Sequence, residues 1–218
     1  MKNFFRKRPM DETKKIVLFD LDGTLVDSFD SVLSAIKESM QSLNIPIPQE
    51  IYKEYEVSNL LYIAERHLPQ NVTKAKFKNE YDAILSNAPL NGVKPNSNAI
   101  FITEYLKSLG YTLSVLTNKR QSVATTICNS LYPLNTFESI IGRSSPNPIK
   151  PYPKVIDELK ANNIQLSQIR CLIGDSKEDL LTAELLGIDF YDIKFSSQNI
   201  IHAIVSQKDF VEIEMTKG

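Results

Sequence analysis

The chain has 218 residues, 42% of them hydrophobic and 23% charged, with a formal net charge of −1. That size and composition suit a packed globular protein, either one large domain or one core with an inserted module. The near-zero charge gives no electrostatic case for nucleic acid as the main partner, and no stretch approaches the ~20 apolar residues that span a bilayer.

Residues 1–15 read as a basic tail carrying Lys2, Arg6, Lys7, Arg8, Lys14 and Lys15. The tail lacks the apolar core of a signal peptide and suits a solvated segment, so the cytoplasm is the expected compartment. The run Ile16-Val-Leu-Phe19 follows, apolar at every position, as in a strand buried on both faces. Asp20 and Asp22 stand at its C-terminal end, and Gly23 and Thr24 turn the backbone. Two anions that close repel unless a cation or a shared proton offsets them. A hard divalent ion such as magnesium would do so through oxygen ligands. For either aspartate alone, a helix cap or a turn is the plainer explanation.

Asp27 or Ser28 can cap a helix in which Phe29, Val32, Leu33, Ile36, Met40 and Leu43 recur at three- and four-residue spacing. Asn44-Ile-Pro-Ile-Pro48 breaks it. Segments 49–57, 58–68 and 73–87 again look helical, so residues 28–90 hold helices with no strand between them. The turn residues of Pro89-Leu-Asn-Gly-Val-Lys-Pro95 end this block. A helix at 96–109 closes at Gly110. Strand Thr112 to Leu116, polar Thr117-Asn118-Lys119 and a helix at 120–131 come next. Ser139 to Ile141 forms a short strand, and Gly142 to Pro153 a proline-rich loop containing Lys150. A helix at 153–162, strand Arg170 to Ile173, Gly174-Asp175, a helix at 178–186 and a last strand Phe190 to Ile193 complete the pattern. Cys128 and Cys171 form no CxxC pair and suggest neither zinc nor a disulfide. With only His67 and His202, acid–base chemistry rests more naturally on carboxylates.

Strands alternating with helices predict an α/β fold with a parallel sheet covered on both faces. The all-helical block interrupts this alternation as an insertion. The expected division is a core of 16–27 and 91–218 with a helical cap of 28–90. Asp20 with Asp22, Thr117 with Asn118, Lys150, and Asp175 with Asp179 then all follow strands at the edge where open parallel sheets bind ligands. A hydroxyl, a lysine and several carboxylates there suggest a metal-assisted phosphate site. Singly, Thr117 and Asp175 also suit helix caps and Lys150 a solvated loop.

These residues resemble the haloacid dehalogenase-like superfamily at its four motifs, and its capped phosphatases similar to phosphoglycolate phosphatase in particular. The matching stretches are Asp20-Leu-Asp-Gly-Thr-Leu25, Leu116-Thr-Asn-Lys119, Ile149-Lys-Pro-Tyr-Pro153 and Gly174-Asp-Ser-Lys-Glu-Asp179. The resemblance implies a Rossmann-like core and phosphoryl transfer from a small phosphorylated metabolite. By that resemblance Asp20 is the nucleophile and Asp22 the general acid and base. Magnesium would be held by Asp20, the carbonyl of Asp22 and Asp175, with Asp179 behind them. Thr117, Asn118 and Lys150 would bind the phosphoryl group.

An acid at Asp22 fits phosphate rather than halide as leaving group, and sets aside the phosphonatases, which use another residue there. A sugar-phosphate mutase of the same superfamily and a catalytically idle phospholigand-binding domain are the alternatives. The intact set Asp20, Asp22, Thr117, Lys150 and Asp175 speaks against idleness. Arg143-Ser-Ser-Pro-Asn-Pro148 lacks the acidic, glycine-rich look common before the motif lysine, and the chain departs from the pattern after Ile188. Arg66, His67, Lys53 and the tyrosines of the cap suit surface or packing roles, so no specificity residue is legible there. Nothing in the sequence fixes the oligomeric state.

Overall fold

The computed structural model describes residues 14–57, 63, 66–145 and 147–215. The basic segment 1–13 and most of the expected helix at 58–68 lie outside the described residues. Five strands form one parallel sheet: β1 (Ile16–Phe19), β4 (Thr112–Arg120), β5 (Ser139–Arg143), β6 (Ile169–Gly174) and β7 (Asp189–Asp192). Their order is β5-β4-β1-β6-β7. The chain builds outward from β1 through β4 to β5, then crosses to the other side of β1 for β6 and β7. The strand order therefore reverses at β1, and the C-terminal end of β1 opens on the crevice left by that reversal.

β1 is central because its four side chains are apolar on both faces. Val17 and Phe19 enter one core with Leu113, Val115, Cys171 and Ile173, while Ile16 and Leu18 enter the other with Leu116, Ile141 and Leu172. Helices α4 (Ser97–Ser108), α5 (Gln121–Leu131) and α8 (Ser197–Met215) cover the first face. Helices α6 (Lys154–Ala161) and α7 (Lys177–Leu186) cover the second. Each fully buried Leu, Ile or Phe in these layers contributes ~1.5–3 kcal/mol of transfer free energy. Both cysteines are buried free thiols.

Between β1 and α4 lie α1 (Phe29–Ser42), α2 (Ile51–Val57) and α3 (Lys74–Asn87). They bury their own cluster, including Ile36, Met40, Ile63, Phe77 and Leu85, separate from both sheet cores. The two chain crossings into this segment pair with each other: β2 (Val26–Asp27) runs antiparallel to β3 (Lys94–Pro95). The sequence reads these stretches as plain linkers. Their two-residue ladder has no hydrophobic period to announce it.

Other differences follow from local chemistry. β4 runs on to Arg120, so Thr117 and Asn118 sit on a strand rather than in a following loop. Its pairing with β5 is irregular between Leu116 and Arg120, and this bulge re-aims those side chains. Thr117 is not a helix cap: α5 starts after Arg120, and the Lys119 amide donates to Thr117 Oγ1. Asp175 does not cap α7 either, because Ser176 and Asp179 form its capping box. At α1, Ser28 occupies the cap position without capping, and Asp27 accepts from the Phe29 amide instead. Helix α8 goes unread in the sequence, although Ile200, Ile201 and Ile204 recur at helical spacing and seat it on the sheet. Among the described residues no helix is long and apolar enough to cross a membrane.

Candidate active site

A cavity of about 450 Å³ opens over the C-terminal end of β1, walled by Asp20, Asp22, Thr117, Asn118, Lys150 and Asp175 from the sheet side. From the other side Phe29, Val32, Lys78, Tyr81, Asp82 and Leu85 of the helical segment close it. Asp20 is buried where β1 ends, its amide donating to the Ile173 carbonyl of β6. Its Oδ1 accepts from Lys150 Nζ at 2.6 Å, and the same ammonium also reaches Asp179 Oδ1. Burial raises Asp20 to about 7. Lys150 offsets part of this and Asp179 adds to it. Burial alone would lower Lys150, but the Asp20 and Asp179 carboxylates outweigh it and hold it above the ordinary lysine value.

Asp20, Asp175 and Asp179 each place a carboxylate oxygen within 4.8 Å of the others. Asp179 is committed to the protein: its Oδ2 accepts from the amides of Asp175 and Ser176 and from the Ser176 hydroxyl at 2.5 Å. Among the described residues Asp175 accepts only a long bond from Thr24 Oγ1 at 3.4 Å, and burial followed by Asp179 raises it to about 6. Two glycines make room for these acids. A Cβ on Gly23, whose φ is +78°, would lie 2.3 Å from Asp175 Oδ2, and one on Gly174 would lie 2.5 Å from Asp179 Cγ. The donor set therefore fits a hard divalent cation, with Asp20 and Asp175 offering oxygens that the protein leaves under-used. Burial first, and then the Asp179 charge, raises both acids, and such an ion would offset both effects.

Asp22 points elsewhere. Its carboxylate receives Lys119 Nζ at 2.7 and 3.0 Å and the Ser28 hydroxyl at 2.5 Å, and its side chain remains about a third exposed to the cavity. It stands outside the three-carboxylate cluster. Two acids on alternate residues thus have separate environments, one beside the cation position and one facing the cavity.

Asn118 does more than the sequence suggests. Its side chain accepts from the amides of Ile149 and Lys150 at 2.8 and 2.9 Å and donates to the Lys150 carbonyl at 3.0 Å. It clamps the loop that delivers Lys150. Lys119, Ser28, Arg143, Asp82 and Lys78 escape sequence reasoning. Lys119 and Arg143 stand at the C-terminal ends of β4 and β5, the signal that singles out Asp20. Asp82 and Lys78 carry no signal that separates them from a solvated helix face. Arg66 and His67 do not line the cavity and pair with Glu54. Lys78, beside the Tyr81 ring, has no carboxylate within ion-pairing reach among the described residues. Burial, and then the Arg143 guanidinium, lower it to about 8.

The sequence matches the family model for haloacid dehalogenase-like hydrolases over residues 17–193. It is 29% identical over 180 residues to phosphoglycolate phosphatase of Aquifex aeolicus (strain VF5), across 79% of this chain and 81% of that protein. With phosphoglycolate phosphatase of Colwellia psychrerythraea it shares 28% over 200 residues, 82% of this chain and 83% of that one. The structure resembles a haloacid dehalogenase-like family hydrolase from Streptococcus pneumoniae at a TM-score of 0.64 and 25% identity, covering 81% and 83% of the two chains. The family match runs from β1 to the residue after β7 and takes in every motif position gathered at the sheet edge, and on that evidence the chain belongs to the haloacid dehalogenase-like hydrolases.

Proposed function

We propose that the chain is a magnesium-dependent phosphatase that hydrolyses a small phosphorylated metabolite through an aspartyl-phosphate on Asp20, with residues 28–90 acting as its cap. The observation that carries this reading is the split between two acids on alternate residues. Asp20 is buried against Lys150 beside an under-used carboxylate, while Asp22 faces the cavity on the Lys119 ammonium. Asp20 Oδ attacks phosphorus as Asp22 gives its proton to the leaving oxygen. Water then attacks the acyl phosphate, with Asp22 taking a proton back and Asp20 released. Thr117, the Asn118 amide and Lys150 bind phosphoryl oxygens where negative charge gathers. Asp20, Asp175 and the carbonyl of Asp22 would hold magnesium, which when bound screens the repulsion between carboxylate and phosphate.

The relatives act on phosphoglycolate by name, and that molecule carries a carboxylate beside its phosphate. Lys78 lines the cap side of the cavity with no carboxylate in ion-pairing reach among the described residues, and this supports a substrate with a second anionic group. A screen of phosphoglycolate, sugar phosphates, nucleoside monophosphates and pyrophosphate with magnesium tests the reading. Release of inorganic phosphate with phosphoglycolate preferred is the expected result. An isomerised sugar phosphate, or no turnover of any of them, overturns it.

Asp22→Asn keeps the shape and the main-chain carbonyl but loses the proton. The rate should fall ~10²–10⁴-fold with an alkyl phosphate and much less with p-nitrophenyl phosphate, whose leaving group needs no proton. Steady-state rates on both substrates check this. Equal losses would remove Asp22 from the acid role.

A further inference from the structure

Asp82 of α3 and Arg143 at the end of β5 form an ion pair with both side chains buried, across the boundary between the helical segment and the sheet. Arg143 also donates to main chain. Its Nε donates to the Asn118 carbonyl at 2.7 Å and its Nη1 to the Ser145 carbonyl at 3.0 Å. Asn118 in turn clamps the amides of Ile149 and Lys150, and Lys150 holds Asp20 at 2.6 Å. An unbroken line of bonds therefore joins the helical segment to the nucleophile's lysine.

A buried guanidinium deprived of its carboxylate is costly and turns toward water or other partners. We propose that Arg143 couples the seating of the helical segment to the placement of Lys150, so that the lysine is aligned only when Asp82 is docked. This rests on the phosphatase reading for its catalytic meaning, though not for its geometry. Arg143 acts here as a positioning residue. Its guanidinium suits the task because one rigid fork satisfies Asp82, Asn118 and Ser145 at once. A lysine could keep the pair with Asp82 but could not also hold both carbonyls.

Amide hydrogen exchange on the full chain tests the coupling without reference to turnover. Prolines at 146, 148, 151 and 153 leave segment 146–153 with amides only at 147, 149, 150 and 152, so its signal is clean. In Asp82→Asn and in Arg143→Lys the Ile149 and Lys150 amides should exchange ~10-fold faster or more, with the amides of β1 unchanged. With p-nitrophenyl phosphate and magnesium, kcat should fall ~10–100-fold while KM stays within ~3-fold, the mark of a misplaced group rather than lost binding. Unchanged exchange at 149 and 150 in Asp82→Asn overturns the coupling. So does Arg143→Lys with wild-type exchange and kcat, which would leave Arg143 as a mere seat for the helices. An equal rise throughout β1 assigns the effect to global loosening and also overturns it. Faster exchange in a chain whose wild type lacks phosphatase activity keeps the coupling and discards the proposed function instead.

Discussion

Asp20→Asn should bring turnover down to the background rate while leaving the fold intact. An amide cannot form an acyl phosphate, so the loss is chemical rather than structural. The fold survives because Asn fills the same volume at the end of β1, and Lys150 keeps its contact with Asp179. Inorganic phosphate release measures the first half of this. A thermal melt matching the wild type's measures the second. Mass spectrometry of acid-quenched enzyme tests the chemical cause: the wild type should carry a phosphate on the peptide containing Asp20, and the variant none. A variant that still turns over near the wild-type level would show that Asp20 is not the nucleophile.

Removal of divalent metal should abolish activity and make stability fall as pH rises. Calcium should restore activity poorly, because its larger and looser shell holds an in-line geometry badly. The pH dependence follows from Asp20, raised by burial and then Asp179 to about 7, and Asp175, raised by burial to about 6, against 3.8 in an unperturbed chain. Between pH 4 and 7 the folded state holds protons that the unfolded chain has already lost. Metal-free stability therefore declines across that window and levels off above it. Lys150, raised by its carboxylates, adds stability that is constant throughout, since it is fully present below 10.5. The decline is on the order of a few kcal/mol, mostly from Asp20, because Asp175 is partly screened by solvent.

Thermal melts in chelator should give a lower Tm at pH 8 than at pH 5. Magnesium should raise the Tm more at pH 8, where both acids are ionised. In Asp20→Asn the slope should shrink. A metal-free Tm that is flat or rises over this range would contradict the environment described for Asp20, and full activity in excess chelator would remove the metal.

The core was legible because its information is local. Ile16–Phe19 is apolar at every position, which only a strand buried on both faces accommodates, and Asp20 and Asp22 break that run where a sheet edge must fall. The same logic located Thr117, Lys150 and Asp175, since each follows an apolar run in a strand–helix alternation. Capping chemistry was less legible. Ser176 with Asp179, and Asp27 rather than Ser28, took the caps because neighbouring bonds drew Asp175 and Ser28 toward the cavity.

Sequence by itself thus determined the parallel α/β sheet, the run of helices between β1 and α4, and which polar residues gather where the strands of the sheet end. Tertiary structure alone decided which charges meet. Lys119 finds Asp22 across 97 residues and Arg143 finds Asp82 across 61. No local pattern encodes either pairing, because a buried lysine or arginine looks the same in sequence as a solvated one. Only the folded packing, which denies those cations water, makes one particular carboxylate the partner each must have.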